Sequence, residues 1–265
     1  MQKRPSQRRT FCCATSELIW LAWGYYLILF ALTSAFAPNS ARADGVACPG
    51  ATASFETNGA ILAFPKVKVG LPVDILAIGS SSTEGVGASS PANTYPAQLE
   101  GELEKLTGAD FDVKNAGVGG ELAAKTLERL KRALKSGWAR LVIWQVGTND
   151  ALVGVDESLF RATVKAGIAA VRAAGVPLVL VDPQFTLKSP DPARYERFVR
   201  MVDDIGAADH VPVVSRYAMM KRFAAKSVAT IGLLSRDGLH MNDLGYRCLA
   251  HALAEGIEGA AAAKL

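Results

Sequence analysis

Histidine is the scarcest of the residues that commonly carry enzyme chemistry in this chain, with three copies among 265 residues. An imidazole base can therefore only be His210, His240 or His251. Tryptophan is almost as rare, and only Trp138 and Trp144 lie beyond the N-terminal segment. With so few large aromatic side chains, the sequence does not indicate an extended hydrophobic surface of the kind expected for a lipase.

Two widespread motifs are missing as well. No Gly-Lys-Ser/Thr follows the glycine-rich loops, which argues against a phosphate-binding P-loop. The loop that begins at Gly79 has Thr83 where Gly-x-Ser-x-Gly requires its second glycine. That substitution argues against the nucleophile elbow of the α/β-hydrolases.

Positive charge is concentrated at the N-terminus. The chain has 29 Lys and Arg residues against 25 Asp and Glu residues. Residues 1–43 hold five of the basic residues and one acidic residue, which leaves 24 of each sign in the remainder. That remainder has no cluster of Lys and Arg, so the sequence predicts no nucleic-acid partner.

The first 43 residues follow the three-part pattern of an export signal. A basic start is followed by an uncharged apolar run over residues 18–37 and then by Ala41-Arg42-Ala43. We therefore predict a signal peptide over residues 1–43 and an exported protein, either periplasmic or secreted. The alternative is an uncleaved anchor, because the apolar run is long enough to cross a hydrocarbon core of about 30 Å. In that case this segment alone would contact the membrane.

Beyond the signal, the chain divides into a short extension and one domain. Residues 44–72 mix Gly, Pro and Thr with short apolar pieces, which predicts an irregular N-terminal extension with at most one edge strand. Over residues 73–265, apolar runs alternate with amphipathic helical stretches, without a repeat or a linker. This alternation predicts an α/β domain with a parallel sheet and helices on both faces, because parallel strands need long crossovers.

Two cysteines remain after removal of the signal. Cys12 and Cys13 lie within residues 1–43, which leaves Cys48 in the extension and Cys248 in the predicted last helix. An even pair in an oxidising compartment favours a disulfide. Two separate thiols are the alternative, because the sequence does not give the distance between the two residues.

Small, polar and glycine-rich segments follow three of the predicted strands, at residues 79–85, 115–121 and 147–150. In sheets of this kind the active crevice lies at the carboxyl ends of the strands. Each segment taken alone is more typical of a helix-capping turn or an anion-binding loop.

A fourth segment, Asp237-Gly238-Leu239-His240, favours catalysis. A serine hydrolase needs an imidazole that takes the seryl proton and a carboxylate that orients the ring, and one turn with this spacing can supply both. His210 precedes a short predicted strand and His251 lies within the last predicted helix, where surface or packing roles are more typical. His240 is therefore the candidate base and Asp237 its partner; the alternative is a structural histidine bonded to that carboxylate.

Together these segments resemble the SGNH, or GDSL-like, hydrolases over residues 73–257. The first block of that family reads Gly-Asp-Ser-x-Thr-x-Gly. Matching Thr83 and Gly85 to it makes Ser81 the nucleophile that the resemblance implies. Ser80 stands in place of the family aspartate, so the hydrogen bonds that usually brace this loop are expected to be weaker.

The other blocks of the family imply the rest of the machinery. The second block assigns a backbone N–H of the oxyanion hole to Gly120, and the third assigns a side-chain amide to Asn149. The Ser81 N–H would complete that hole, and the last block, Asp-x-x-His, matches Asp237 and His240. The resemblance further implies a flavodoxin-like, three-layer α/β/α fold with about five parallel strands, and ester hydrolysis through an acyl-enzyme without metal or cofactor.

The sequence constrains the substrate less than it constrains the type of reaction. We expect a small-molecule or carbohydrate ester, either a short acyl ester or an acetylated sugar of the cell envelope. An envelope O-acyltransferase is one alternative, since the same acyl-enzyme could react with a sugar hydroxyl. A noncatalytic glycan-binding domain of the same fold is another, for which Ser80 is the only hint in the sequence.

Overall fold

The computed structural model describes Cys48, residues 54–60, Leu62, residues 71–226 and residues 232–262. The predicted signal over residues 1–43 lies outside these residues. No helix within the described ranges is long and apolar enough to cross a membrane.

The described residues form six strands and eight α-helices. The strands are β1 (Phe55–Glu56), β2 (Val73–Gly79), β3 (Phe111–Gly117), β4 (Leu141–Gln145), β5 (Leu178–Val181) and β6 (Val213–Val214). The helices are α1 (Ser81–Glu84), α2 (Tyr95–Thr107), α3 (Ala123–Leu134), α4 (Thr148–Val153), α5 (Glu157–Ala173), α6 (Pro192–Ala208), α7 (Arg216–Lys226) and α8 (Asp243–Ala262).

The strands form one sheet in the order β1-β6-β5-β4-β2-β3. Strands β2 to β6 are parallel, and the two-residue strand β1 pairs antiparallel with β6 at the edge. If β1 is left out, this strand order is that of flavodoxin-like folds. The chain adds β3 on one side of β2 and then β4, β5 and β6 on the other side, so the order reverses between β2 and β4. The predicted parallel sheet of about five strands is therefore confirmed.

Helices cover both faces of the sheet. Successive side chains of a strand point to opposite faces, so each strand contributes to the packing on both sides. Ile75 and Ala77 of β2 join an apolar cluster with residues of α2 and α8. Leu76 and Ile78 join a second cluster with residues of α5 and α6. All five residues of β4 are buried, as expected for a parallel strand that is covered twice.

The N-terminal extension packs on the sheet and on the last helix. Phe55 lies in the edge strand β1 and Leu62 is buried in the first cluster. Cys48 forms a disulfide with Cys248 of α8, with a Cα–Cα distance of 5.2 Å. Of the two states that the sequence left open for this pair, the structure therefore contains the disulfide. The domain boundary at residue 73 stays a prediction.

Candidate active site

The three side chains predicted as a triad lie in one hydrogen-bonded chain. Ser81 is the first residue of α1, directly after β2, and its Oγ lies 2.9 Å from Nε2 of His240. Nδ1 of His240 lies 2.6 Å from Oδ2 of Asp237. An ionised carboxylate can only accept, so Nδ1 carries the hydrogen, and Nε2 of the neutral ring is free to accept from the serine hydroxyl. The fold thus joins residues that are 159 positions apart in the chain.

Asp237 is held in its charged form by local donors. Its Oδ1 accepts hydrogen bonds from Ser235 Oγ at 2.7 Å and from the backbone N–H groups of Leu239 and His240, each at 2.9 Å. Partial burial tends to raise the pKa of Asp237, but these bonds and the one from the His240 ring outweigh it and hold that pKa below its ordinary value. The carboxylate therefore stays available as an acceptor for the imidazole.

The turn at Ser80, directly before Ser81, is braced by a residue that sequence reasoning missed. Oε1 of Gln145, the last residue of β4, accepts from Ser80 N at 2.9 Å and from Ser80 Oγ at 3.1 Å. Ser80, which stands in place of the family aspartate, therefore has a buried partner. The available signal was a polar residue that ends an otherwise apolar strand.

The residues predicted for the oxyanion hole lie in a turn and at the start of a neighbouring helix. Gly120 follows β3 in a turn with φ 75°, and Asn149 lies in α4 after β4. Nδ2 of Asn149 donates to the carbonyl oxygen of Glu121 at 2.9 Å, which connects the two segments. A Cβ at Gly119 would lie 4.0 Å from the Cβ of Ser81, so the Gly120 loop also passes close to Ser81.

Two acidic residues anchor these segments. Glu121 accepts hydrogen bonds from the guanidinium of Arg129, whose Nη1 also donates to the carbonyl of Ala116 at 2.8 Å. Asp150 is buried and accepts from the backbone N–H of Ala123 at 3.1 Å. Burial raises the pKa of Asp150 to about 6. Neither anchor was predicted from the sequence.

The loop after α1 packs directly on the histidine loop. A Cβ at Gly87, which has φ 95°, would lie 2.4 Å from the carbonyl oxygen of Met241 and 3.1 Å from the Cβ of His240. Asp243, at the start of α8, accepts from Ser89 N at 2.7 Å and from Ser89 Oγ at 2.6 Å. These contacts tie the position of His240 to the segment that follows Ser81.

A groove of about 530 Å³ lies beside α1, and its wall includes Glu84, Ser89, Ser90 and Asn115. The rest of the wall is largely apolar, so the groove is mixed in character. Its polar groups can form hydrogen bonds with hydroxyl groups. Several exposed aliphatic residues lie near the same edge of the sheet, because each follows the end of a different strand: Val86, Val118, Val153 and Leu187. Within the described residues, no group of three or more His, Cys, Asp or Glu side chains is arranged to hold a metal ion.

Comparisons with known proteins identify the family and the fold of the chain. A family model described as the Non-GDSL lipase-like family matches residues 49–263. The chain is also similar to Esterase TesA of Pseudomonas aeruginosa, with 25% identity over 167 residues, which is 63% of this chain and 78% of that protein.

Solved structures show the same fold. A lipase/acylhydrolase from Enterococcus faecalis superposes with a TM-score of 0.63 at 22% identity, over 71% of this chain and 96% of that one. A two-domain esterase active on acetylated mannans gives a TM-score of 0.60 at 22% identity, over 72% of this chain and 50% of that one. The predicted SGNH hydrolase fold is confirmed by these likenesses.

Proposed function

The chain belongs to the Non-GDSL lipase-like family and is a carboxylic ester hydrolase, and from that premise we propose that it acts through Ser81, His240 and Asp237. The observation that carries the proposal is the pair of distances from Ser81 Oγ to His240 Nε2, 2.9 Å, and from His240 Nδ1 to Asp237 Oδ2, 2.6 Å. Both lie within the range expected for a nucleophile, its base and the group that orients the base.

The proposed reaction has two halves. His240 takes the proton of Ser81 as Oγ attacks the acyl carbon, and Asp237 stabilises the imidazolium that forms. His240 then gives that proton to the leaving alcohol, which leaves the acyl group on Ser81. Water, deprotonated by His240, attacks this ester, and the proton returns to Ser81 as the acid departs.

The backbone N–H groups of Ser81 and Gly120 and the amide of Asn149 are proposed to stabilise the oxyanion of each tetrahedral intermediate. The closeness of the Gly120 loop to Ser81 and its bond to Asn149 support this assignment. An amide nitrogen has two hydrogens, and the bond to Glu121 uses one of them.

We also propose that the protein is exported, either to the periplasm or out of the cell, by residues 1–43. The three-part pattern of that segment and the disulfide between Cys48 and Cys248 support this proposal, because disulfides persist mainly in oxidising compartments. Cell fractionation and N-terminal sequencing of the mature protein test it. A protein found only in the cytoplasm would contradict export, and an intact N-terminus in the membrane fraction would indicate the uncleaved anchor.

The proposed substrates are short acyl esters or acetylated envelope carbohydrates. The polar groups in the wall of the groove beside α1 can bind a hydroxyl-rich alcohol group, which supports this proposal, and a structural neighbour is an esterase active on acetylated mannans. The exposed aliphatic residues that follow the strands offer apolar contacts of the kind that a short acyl group such as acetyl or butyryl would make.

The test is hydrolysis of p-nitrophenyl acetate, butyrate and a long-chain ester by the purified protein, beside a folded Ser81→Ala variant. We expect turnover of the short esters that is lost in the variant, and mass spectrometry should find a serine-directed phosphonate on Ser81 alone. A strong preference for the long-chain ester would contradict the substrate proposal. Equal turnover by the variant would contradict the triad, and acetyl transfer to a sugar without release of acetate would indicate an acyltransferase.

A further inference from the structure

One fully buried side chain contacts three loops of the candidate site. Gln184 follows β5 and has 0% of its surface exposed. Its Oε1 accepts from Ser82 Oγ at 2.9 Å and from Thr148 Oγ1 at 3.1 Å. Its Nε2 donates to the carbonyl oxygen of Leu239 at 3.1 Å. One amide therefore bonds to segments that follow β2 and β4 and to the turn before α8.

These partners determine how the amide is oriented. The carbonyl oxygen of Leu239 can only accept, so the nitrogen of the Gln184 amide must face it. The amide oxygen then faces two hydroxyl groups, and both of them donate. The backbone of Gln184 is held too, because Tyr195 OH donates to its carbonyl oxygen at 2.6 Å. These three side-chain bonds can therefore form in only one orientation of the amide.

Each of the three partners is the chain neighbour of a residue that we assign to the reaction. Ser82 follows the nucleophile Ser81, Thr148 precedes the oxyanion residue Asn149, and Leu239 precedes the base His240. Neighbouring Cα atoms are about 3.8 Å apart, so a shift of any partner moves the reacting group beside it. A change at Gln184 would therefore alter the distances among nucleophile, oxyanion donor and base together.

We propose that Gln184 is a positioning residue that sets the relative placement of Ser81, Asn149 and His240 for the reaction. This inference rests on the proposed function of those three residues. Gln184 itself is buried and does not touch the substrate. Its loss therefore acts on the rate of the chemical step and leaves substrate binding nearly unchanged.

The first test replaces Gln184 by methionine, which is similar in length and lacks both amide groups. We expect kcat to fall about 100-fold, the usual cost of misplacing reacting groups by about 1 Å, with KM within about 2-fold of wild type. Phosphonate labelling of Ser81 should slow by a similar factor. The matched control is Val171→Ala, since Val171 is buried at the opposite edge of the sheet beside Pro177 and Leu178. It should lower the melting temperature and keep the wild-type kcat.

A second set of variants removes one of the two hydroxyl donors to Gln184 at a time and keeps the amide in place. Ser82→Ala and Thr148→Val should each lower kcat about 10-fold, the scale of one buried hydrogen bond, and should fold even if Gln184→Met does not. In the Gln184→Met background Ser82→Ala should cost little more, because its partner is already gone.

The inference is overturned if folded Gln184→Met keeps kcat within about 2-fold of wild type. It is likewise overturned if both Ser82→Ala and Thr148→Val do so. It is also overturned if Val171→Ala loses kcat as much as Gln184→Met, since the loss would then follow stability. Ser81→Ala separates the two proposals. If it is inactive while Gln184→Met has normal kcat, this inference alone fails; if Ser81→Ala remains active, the proposed function fails and this inference fails with it.

Discussion

The residues buried at the carboxyl ends of the parallel strands differ in polarity from those at an amino end. At the carboxyl ends the buried groups are polar and bond from one loop to another, as Ser80 does with Gln145 and Ser82 with Gln184. At the amino end of β5, a cavity of about 290 Å³ is lined largely by apolar side chains, including Ile168 and Val171. Hydrogen bonds are directional and apolar packing is not, so the first end can place atoms precisely, whereas the second contributes mainly to stability.

The largest effect is expected for His240, the proposed base. His240→Ala should lower kcat by about 10⁴- to 10⁶-fold, as loss of a triad member does in serine hydrolases. The matched control is His251→Ala, because His251 lies in α8 beside Glu102, away from the reacting atoms. Its kcat should stay at the wild-type value, measured with p-nitrophenyl acetate. Equal losses in both variants would show that the rate follows stability and would remove the distinction between these two histidines.

The next largest effect compares two asparagines at the two ends. Asn149→Ala should lower kcat about 100- to 1000-fold through loss of an oxyanion donor, with little change in KM. Asn58 donates to the carbonyl oxygen of Val211, just before β6, at 2.8 Å. Asn58 has φ 52°, so Asn58→Ala should cost about 2 to 3 kcal/mol of unfolding free energy, from the lost hydrogen bond and from backbone strain, and no activity. Urea unfolding and steady-state kinetics on both variants check this pair, and a normal kcat in Asn149→Ala would exclude it from the oxyanion hole.

Two glycines with positive φ provide a sharper comparison. Gly87→Ala would push a methyl group against Met241 and His240, so we expect about 100-fold lower kcat as well as lower stability. Gly108 ends α2 with φ 70°, and a Cβ there would meet nothing within 4 Å. Gly108→Ala should therefore cost about 1 to 2 kcal/mol of backbone strain and leave kcat unchanged. A fully active Gly87→Ala would mean that the histidine loop can move without loss of function.

The smallest effect concerns pH and stability. The pKa of Asp150 is raised to about 6 in the folded protein, so the folded state binds more protons than the unfolded state between about pH 4 and 6. Its contribution therefore favours folding below the ordinary aspartate pKa and is lost as pH rises through about 6. The loss amounts to about 1 to 3 kcal/mol. Asp150→Asn should flatten this part of the stability profile in urea unfolding at several pH values; an unchanged slope would contradict the assignment.

The sequence predicted well the features that depend on residues close together in the chain, such as a buried strand or a short turn. Strand β4 was predictable because Leu141 to Trp144 form a continuous apolar run, and the short turn from Asp237 to His240 was recognisable from its spacing. The helices α1 and α4 were not predicted, since four and six residues carry too little periodicity to separate a helix from a loop. Gln145 and Gln184 were missed because a single polar residue after an apolar run does not reveal its partner.

By itself the sequence determined the class of fold and the charge distribution, because residue type and local spacing carry that information, and its resemblance to the SGNH hydrolases implied the candidate catalytic residues. Only the tertiary structure decided that Ser81 meets His240 across 159 positions, that Cys48 joins Cys248, and that Gln184 bonds to three loops. These contacts depend on the order of strands in the sheet and on how closely their ends approach. Such distances arise from packing of the whole domain, which no local pattern of residues records.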